Sequence, residues 1–263
     1  MTKTTQHPHH DELTNLVRSW YVLADEGLNR QSERREFGYY CQNASVNYFD
    51  VHVIEAIQQD DIPRFLADVQ QFYQSTDVGI FVHGKALDAQ MGPLLIEAGC
   101  TQDVAKLYLT YVGDAPPDLP PAVGITLEKV NEHNLIDYER TKLKAFADSE
   151  DEPTPERLER GLRLRQTEMN DVGRFMVGRV DGEAAAIIGW YTDEDQMIFH
   201  LATRVPFRNR GLARRLLNRV IRSAYQENCR SISIFTDPAD TPVQLYHKIG
   251  FTDEIYWMGK YNL

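Results

Sequence analysis

Apolar positions in the second half of the chain recur with two different periods. Gly124–Glu132 alternates, with Ile125, Leu127 and Val130 apolar among polar neighbours, and reads as a half-buried strand. Asn134–Ala147 and Thr154–Met169 carry the helical period. The second opens on Thr154 as N-cap, Pro155 at the first helical position and Glu156 in the first turn. Arg174–Val180 is a short strand, Asp181-Gly182 a hairpin turn, Ala184–Tyr191 a strand apolar enough to be buried on both faces, and Met197–Val205 the strand after it. A strong amphipathic helix follows, its buried stripe Leu212, Leu216, Leu217, Val220, Ile221 and Ala224, with Arg214, Arg215, Arg219 and Arg222 opposite. Arg230–Phe235 is a strand, Thr241–Lys248 a short helix closed by Gly250, and Tyr256–Tyr261 the last strand. The order β, α, α, β, β, β, α, β, α, β predicts a mixed, mostly antiparallel sheet with helices on its faces, an α/β class.

The first half repeats part of this pattern. Pro93–Thr110 aligns without gaps on Gln244–Tyr261, setting Leu94 on Leu245, Leu95 on Tyr246, Gly99 on Gly250, Cys100 on Phe251 and Thr101 on Thr252. Upstream, Ile80-Phe81 meets Ile234-Phe235 after a three-residue gap, Asp61–Tyr73 takes the place of the amphipathic helix, and Asn47–Ala56 that of the strand before it. Between the halves, residues 113–121 hold four prolines, which neither continue a helix nor fill a central strand. The segment reads as a stiff extended linker, and the expected domains are 1–122 and 123–263.

Charge sharpens the division. The net charge of −11 would argue against an extended nucleic-acid or anionic-membrane surface. Yet residues 1–122 carry 8 Lys and Arg against 17 Asp and Glu, and residues 123–263 carry 20 against 22. The acidity belongs mainly to the first half, and a local basic pocket in the second stays open. Cys41, Cys100 and Cys229 are odd in number and fit neither a metal knuckle nor a disulfide framework, which suits reduced thiols in the cytoplasm. No apolar leader and no run of ~20 apolar residues appears, so neither secretion nor membrane spanning is expected. His7, His9 and His10 form a polar terminal cluster more suited to a frayed tail than to a metal site.

The candidate chemistry sits at Arg208-x-x-Gly211-x-Ala213, between a strand and a helix. The first turn of a helix presents orphan N–H groups whose dipole favours an anion. Gly211 and Ala213 allow close backbone approach, and Arg208, Arg210 and Arg214 can add charge-assisted bonds. That describes a diphosphate cradle. It is neither a Walker motif nor a dinucleotide fingerprint, since Gly-Lys-Ser/Thr and G-x-G-x-x-G are both missing. A plain helix cap with solvated arginines would show the same letters.

Two linked motifs narrow the choice. Thr203-x-x-Pro-x-Arg-x-Arg-Gly211-Leu-Ala213 and Leu245-Tyr-x-x-x-Gly-Phe251 resemble the Gcn5-related N-acetyltransferase (GNAT) superfamily over residues 123–263, in the right order and at a typical separation. The resemblance implies the acyl-CoA N-acyltransferase fold and an acetyl-CoA-dependent transfer to an amine. It implies that the backbone of Leu201, Ala202 and Thr203 pairs with the pantetheine arm where two strands splay. Arg208 and the amides of Asn209, Arg210, Gly211, Leu212, Ala213 and Arg214 would hold the pyrophosphate. Tyr246 would protonate the leaving thiolate, a role suited to a phenol of pKa ~10. Relatives often carry a glutamate on the strand before the cradle. Here that stretch is Gln196-Met-Ile-Phe-His200, in which His200 is the only titratable side chain, either a second catalytic residue or a satisfied core histidine. Asp193, Glu194 and Asp195 stand at the strand entrance and could act through water. The acidic loop Asp148–Glu152 is either a rim that attracts a cationic amine or a solvated cap cluster.

The first half resembles a degenerate copy of the same domain. Asp60-Asp61-Ile-Pro stands where the arginine-glycine loop would be, and its carboxylates would repel a pyrophosphate. The expected protein is a cytoplasmic acetyltransferase of two tandem domains, using acetyl-CoA and no metal on a small-molecule or peptide amine by direct transfer. No nucleic acid or membrane is expected as partner, and a homodimer is left open. Cys229 lies away from the predicted reaction centre, which disfavours an acyl-cysteine route. The alternative is a non-catalytic acyl-CoA-binding regulatory module.

Overall fold

The computed structural model describes residues 30–43, 48–103, 105–170, 173–192, 195–239 and 242–263. His7, His9, His10, Asp193, Glu194 and Thr241 lie outside them. The chain forms two compact units. The first comprises residues 1–109, 236–243 and 254–263, and the second 110–235 and 244–253. The division is therefore not a single cut at 122/123. The proline segment belongs with the second unit, and the last ten residues belong with the first.

In the first unit β1 (Arg30–Arg35), β2 (Gly38–Asn43) and β3 (Tyr48–Val53) run antiparallel. Helix α1 (Ile62–Tyr73) then crosses to β4 (Gly79–His83), which pairs in parallel with β3. The α1 stripe Ile62, Phe65, Val69 and Tyr73 is buried against this sheet. Helix α2 (Lys85–Glu97), β5 (Thr101–Gln102) and β6 (Lys106–Tyr111) follow. The final strand, β12 (Phe251–Asn262), pairs antiparallel with β4 from Met258 to Asn262. Asp88 of α2 holds it by accepting from Trp257 Nε1 at 2.8 Å and Tyr261 Oη at 2.7 Å.

In the second unit the strand order is β11-β10-β9-β8-β7. Strand β7 (Ile125–Lys129) precedes helices α3 (Leu135–Phe146) and α4 (Pro155–Asn170); β8 (Gly173–Val180), β9 (Glu183–Thr192) and β10 (Gln196–Thr203) form an antiparallel meander. Helix α5 (Leu212–Gln226), β11 (Ile232–Thr236) and α6 (Pro242–Ile249) come next. The element order matches the pattern reading throughout.

Local chemistry accounts for the boundaries. Asp181 and Gly182 both have positive φ, the geometry of a two-residue hairpin turn that follows the strand twist. Thr154 caps α4. Residues Ala185–Ile188 of β9 are completely buried, as suits a strand covered on both faces. All six residues of the α5 stripe are buried, each apolar side chain larger than alanine contributing about 1.5–3 kcal/mol.

The proline segment is not a bare spacer. It lies along the outer side of α5, where Arg215 donates to the Pro120 carbonyl, Asn218 to Pro117, Arg222 to Pro116 and to Asp118, and Tyr225 to Gly113. The four prolines have no N–H, so at those positions the segment offers carbonyls only, and this helix face offers the matching donors.

Candidate active site

The site is built where β10 turns into α5. Gln196–Ile198 pair in parallel with Ile232–Ile234 of β11. Beyond Ile198 a bulge interrupts the register with β9, and β10 then runs on to Thr203, laddered to β9 as far as Ala186. Among the described residues the β11 side of Phe199–Thr203 has no ladder partner. Leu201, Ala202 and Thr203 thus stand on an opened edge, half-buried.

A single 3₁₀ turn, Val205–Phe207, leads to the cradle. Arg208 is extended, Asn209 has φ of 63° and Gly211 φ of 76°. Left-handed residues spaced this way turn successive backbone N–H groups inward, making an anion-binding concavity. Gly211 is the N-cap of α5, no side chain caps the helix, and a Cβ built on Gly211 would meet nothing within 4 Å. The glycine is therefore required by its backbone angles, and the space before the helix is clear. Leu212 is buried as the first core residue of α5, Ala213 is half-buried, and Arg210 and Arg214 are exposed.

Two arginines on the turn are committed elsewhere. Arg208 donates to the Thr203 carbonyl at 3.1 Å and pairs with Asp148 in the α3–α4 loop. Arg204 binds Glu150, Glu183 and the Ala184 carbonyl, and its guanidinium, like that of Arg210, lies over the Phe207 ring. Glu152 is held by Lys144 and Arg140, and hydrogen bonding to Lys144 keeps its carboxyl below the usual range. The loop 148–152 is consequently not an unneutralised acidic rim: three of its carboxylates are paired within the unit. Asp195 at the strand entrance is likewise engaged, by Arg230 and Ser231.

Tyr246 of α6 is 4% exposed and meets Phe251 edge-on at 6.4 Å. Gly250, with φ of 121°, ends α6 by donating to the Tyr246 carbonyl. His200 stands just past the bulge, its Nδ1 3.1 Å from the Tyr138 hydroxyl. Burial, reinforced by Arg165 and Lys142, pushes its pKa well below the ordinary 6.5, so the ring is neutral.

Sequence reasoning missed the charged group behind His200. Glu139 and Lys142 of α3 pair at 2.5 Å, and Arg165 of α4 pairs with Glu168 and lies 4.0 Å from Glu139. Glu139, Arg165 and Glu168 are all no more than 5% exposed. Tyr191 donates to Glu168 at 3.0 Å, while the Arg165 guanidinium lies over Phe175 and Phe199. Gly161 makes the room: a Cβ there would sit 2.0 Å from the Glu139 carboxylate. Charges three residues apart on a polar helix look like a solvated face in sequence, and only the neighbouring glycine hinted otherwise.

Residues 138–251 match the model of the Acetyltransferase (GNAT) family. The chain carries a GNAT domain, and that family is one of acetyltransferases. Several solved structures share the fold. A functionally unknown conserved protein from Staphylococcus epidermidis ATCC 12228 aligns with TM-score 0.69 and 12% identity over 89% of this chain and 94% of its own. A GCN5-related N-acetyltransferase from Kribbella flavida aligns at 0.60 and 14%, over 95% and 92%. A tandem GNAT protein from the clavulanic acid biosynthesis pathway aligns at 0.59 and 12%, over 86% and 77%. At such identities the likeness is one of fold. Among the described residues no helix is long and apolar enough to cross a membrane, and no group of three metal-ligating side chains occurs.

Proposed function

We propose that this protein is an acetyl-CoA-dependent N-acetyltransferase that transfers the acetyl group directly to a small-molecule or peptide amine. The observation that carries the reading is the left-handed pair Asn209 and Gly211 at the uncapped start of α5, set beside the opened edge of β10. The edge groups of Leu201–Thr203 would pair with the pantetheine arm as a strand would. The amides of Asn209–Arg214 would hold the pyrophosphate, with Arg208, Arg210 and Arg214 around them.

In transfer, the neutral amine attacks the thioester carbonyl, its oxygen takes on negative charge beside backbone N–H donors, and the C–S bond breaks as Tyr246 gives its proton to the sulfur. The amine's proton passes to water, and water returns a proton to the Tyr246 phenolate. Leu95, the counterpart of Tyr246 in the first unit, is equally buried.

Acetyl-CoA should raise the melting temperature where ATP does not, and an amine panel should give acetyl-dependent release of free thiol. Tyr246→Phe should lower kcat about tenfold or more while sparing the KM for acetyl-CoA. Absence of a thermal response to acetyl-CoA would overturn the reading. A full response without thiol release from any amine would favour a binding module.

A further inference from the structure

Tyr138 is completely buried, and its hydroxyl has one hydrogen-bonding partner among the described residues, His200 Nδ1. Leaving a buried hydroxyl hydrogen without an acceptor costs about 1–3 kcal/mol. The phenol must therefore donate, and Nδ1 must be the lone-pair nitrogen. Neutral imidazole carries one N–H, which is then placed on Nε2. Burial raises the Tyr138 phenol well above its ordinary pKa and lowers that of His200, so neither phenolate nor imidazolium competes at neutral pH. Gly189, the backbone partner of His200 across the bulge, leaves room for the hydroxyl: a Cβ there would lie 2.6 Å from it. On its other side, Nε2 has no hydrogen-bonding partner among the described residues, nor is it one of the buried polar atoms left without one. It opens to solvent beside the rings of Phe199 and Phe146, whose centroids lie 4.6 Å and 5.8 Å from that of the imidazole.

Building on the acetyltransferase reading, we propose that His200 is a fixed hydrogen-bond donor, presenting Nε2–H to an oxygen of the amine substrate, with Tyr138 as the positioning residue that sets the tautomer. A ring whose open nitrogen already holds a proton does not take one from an ammonium group, so this assignment replaces a general-base role. Donation to the nucleophilic nitrogen itself would occupy the lone pair needed for attack. The partner is thus a hydroxyl, ether or carbonyl oxygen, and the acceptor class is an amine that also bears such an oxygen.

The tautomer can be read without turnover, from ¹⁵N shifts of the imidazole-labelled chain with His200 assigned by H200Q. The expected spectrum at pH 7 has Nδ1 unprotonated and Nε2 protonated, and Tyr138→Phe shifts it toward a mixture of tautomers in a still neutral ring. Nδ1–H as the main form in the wild type, or a spectrum that Tyr138→Phe leaves unchanged, overturns the assignment. In turnover with the best amine of the panel, H200Q keeps an amide N–H near the Nε2 position. It should hold the acceptor KM within about threefold, while His200→Ala raises it about tenfold. Equal losses in the two variants overturn the donor role. A chain that acetylates no amine would refute the preceding reading and leave the spectrum to decide the tautomer.

Discussion

The two units place the same device, a strand crossing through a helix to a parallel neighbour, in opposite states. Setting Ile80 on Ile234, as the repeat does, puts Val51 on Ile198. In the first unit the parallel ladder continues past this point, pairing His52 with Phe81 and Val53 with Val82. In the second it stops at Ile198. The turns differ too. Among the described residues none between Val53 and Ile62 has positive φ, and Asp60 and Asp61 lead into α1, whereas Asn209 and Gly211 are both left-handed before α5. The closed version is the stable default, because each ladder hydrogen bond contributes about 1 kcal/mol. The open version forgoes those bonds along Phe199–Thr203 and keeps them available for a ligand. Site and fold are thus separable: the first unit retains the architecture without the opening that a pantetheine arm would need.

The sharpest way to break this contrast is Gly211→Val. A β-branched residue at φ of 76° closes the left-handed turn, and acetyl-CoA affinity should fall about a hundredfold or more with the fold retained. Calorimetry that finds wild-type affinity would detach the cradle from the site. Next in size is Asp88→Ala, which strands two donors of β12 and should cost the first unit about 2 kcal/mol, read as a lower denaturant midpoint.

The third prediction concerns pH. His83 faces His52 at 2.7 Å, and burial lowers its pKa to about 3. The unfolded chain, titrating near the ordinary 6.5, binds the proton first as pH falls. Stability contributed by neutral His83 is therefore whole above about 6.5 and declines toward pH 3, by up to about 1.4 kcal/mol per pH unit. His83→Gln should flatten that slope in acid melts, and an unchanged slope would assign the acid sensitivity to other groups. Smaller still is Asp148→Asn, which frees the Arg208 guanidinium and should tighten acetyl-CoA about two- to threefold; weaker binding would mean that the pairing orders the site. Asp61→Gly should change nothing in ligand stoichiometry, since the β3–β4 ladder stays closed; a second bound acetyl-CoA would show that the loop alone makes the difference.

Much of this was legible beforehand for a simple reason: the legible features are local. The α5 stripe, the Asp181-Gly182 turn, the Thr154 cap and Gly250 at the end of α6 are set by residues within a turn or two of one another. What was hidden depends on partners far along the chain. Arg208 and Asp148 are sixty residues apart, so the arginine that reads as a phosphate ligand and the acid that reads as a rim are seen together only in the fold. Arg165 and Glu168 read as surface charges until α4 places them under Phe199, Phe175 and Tyr191.

By itself the sequence determined the order of elements in the second half, the position of the arginine-glycine turn at the head of α5 and the likeness of the first half to part of the second. Those rest on side-chain periodicity and on the backbone freedom of single residues. The tertiary structure alone decided that β12 ends in the first unit, that the proline segment is laid along α5, that the β10 edge is open, and that His200 Nδ1 faces the Tyr138 hydroxyl. Each of these is a pairing of groups distant in sequence, and a hydrogen bond takes its meaning from both ends.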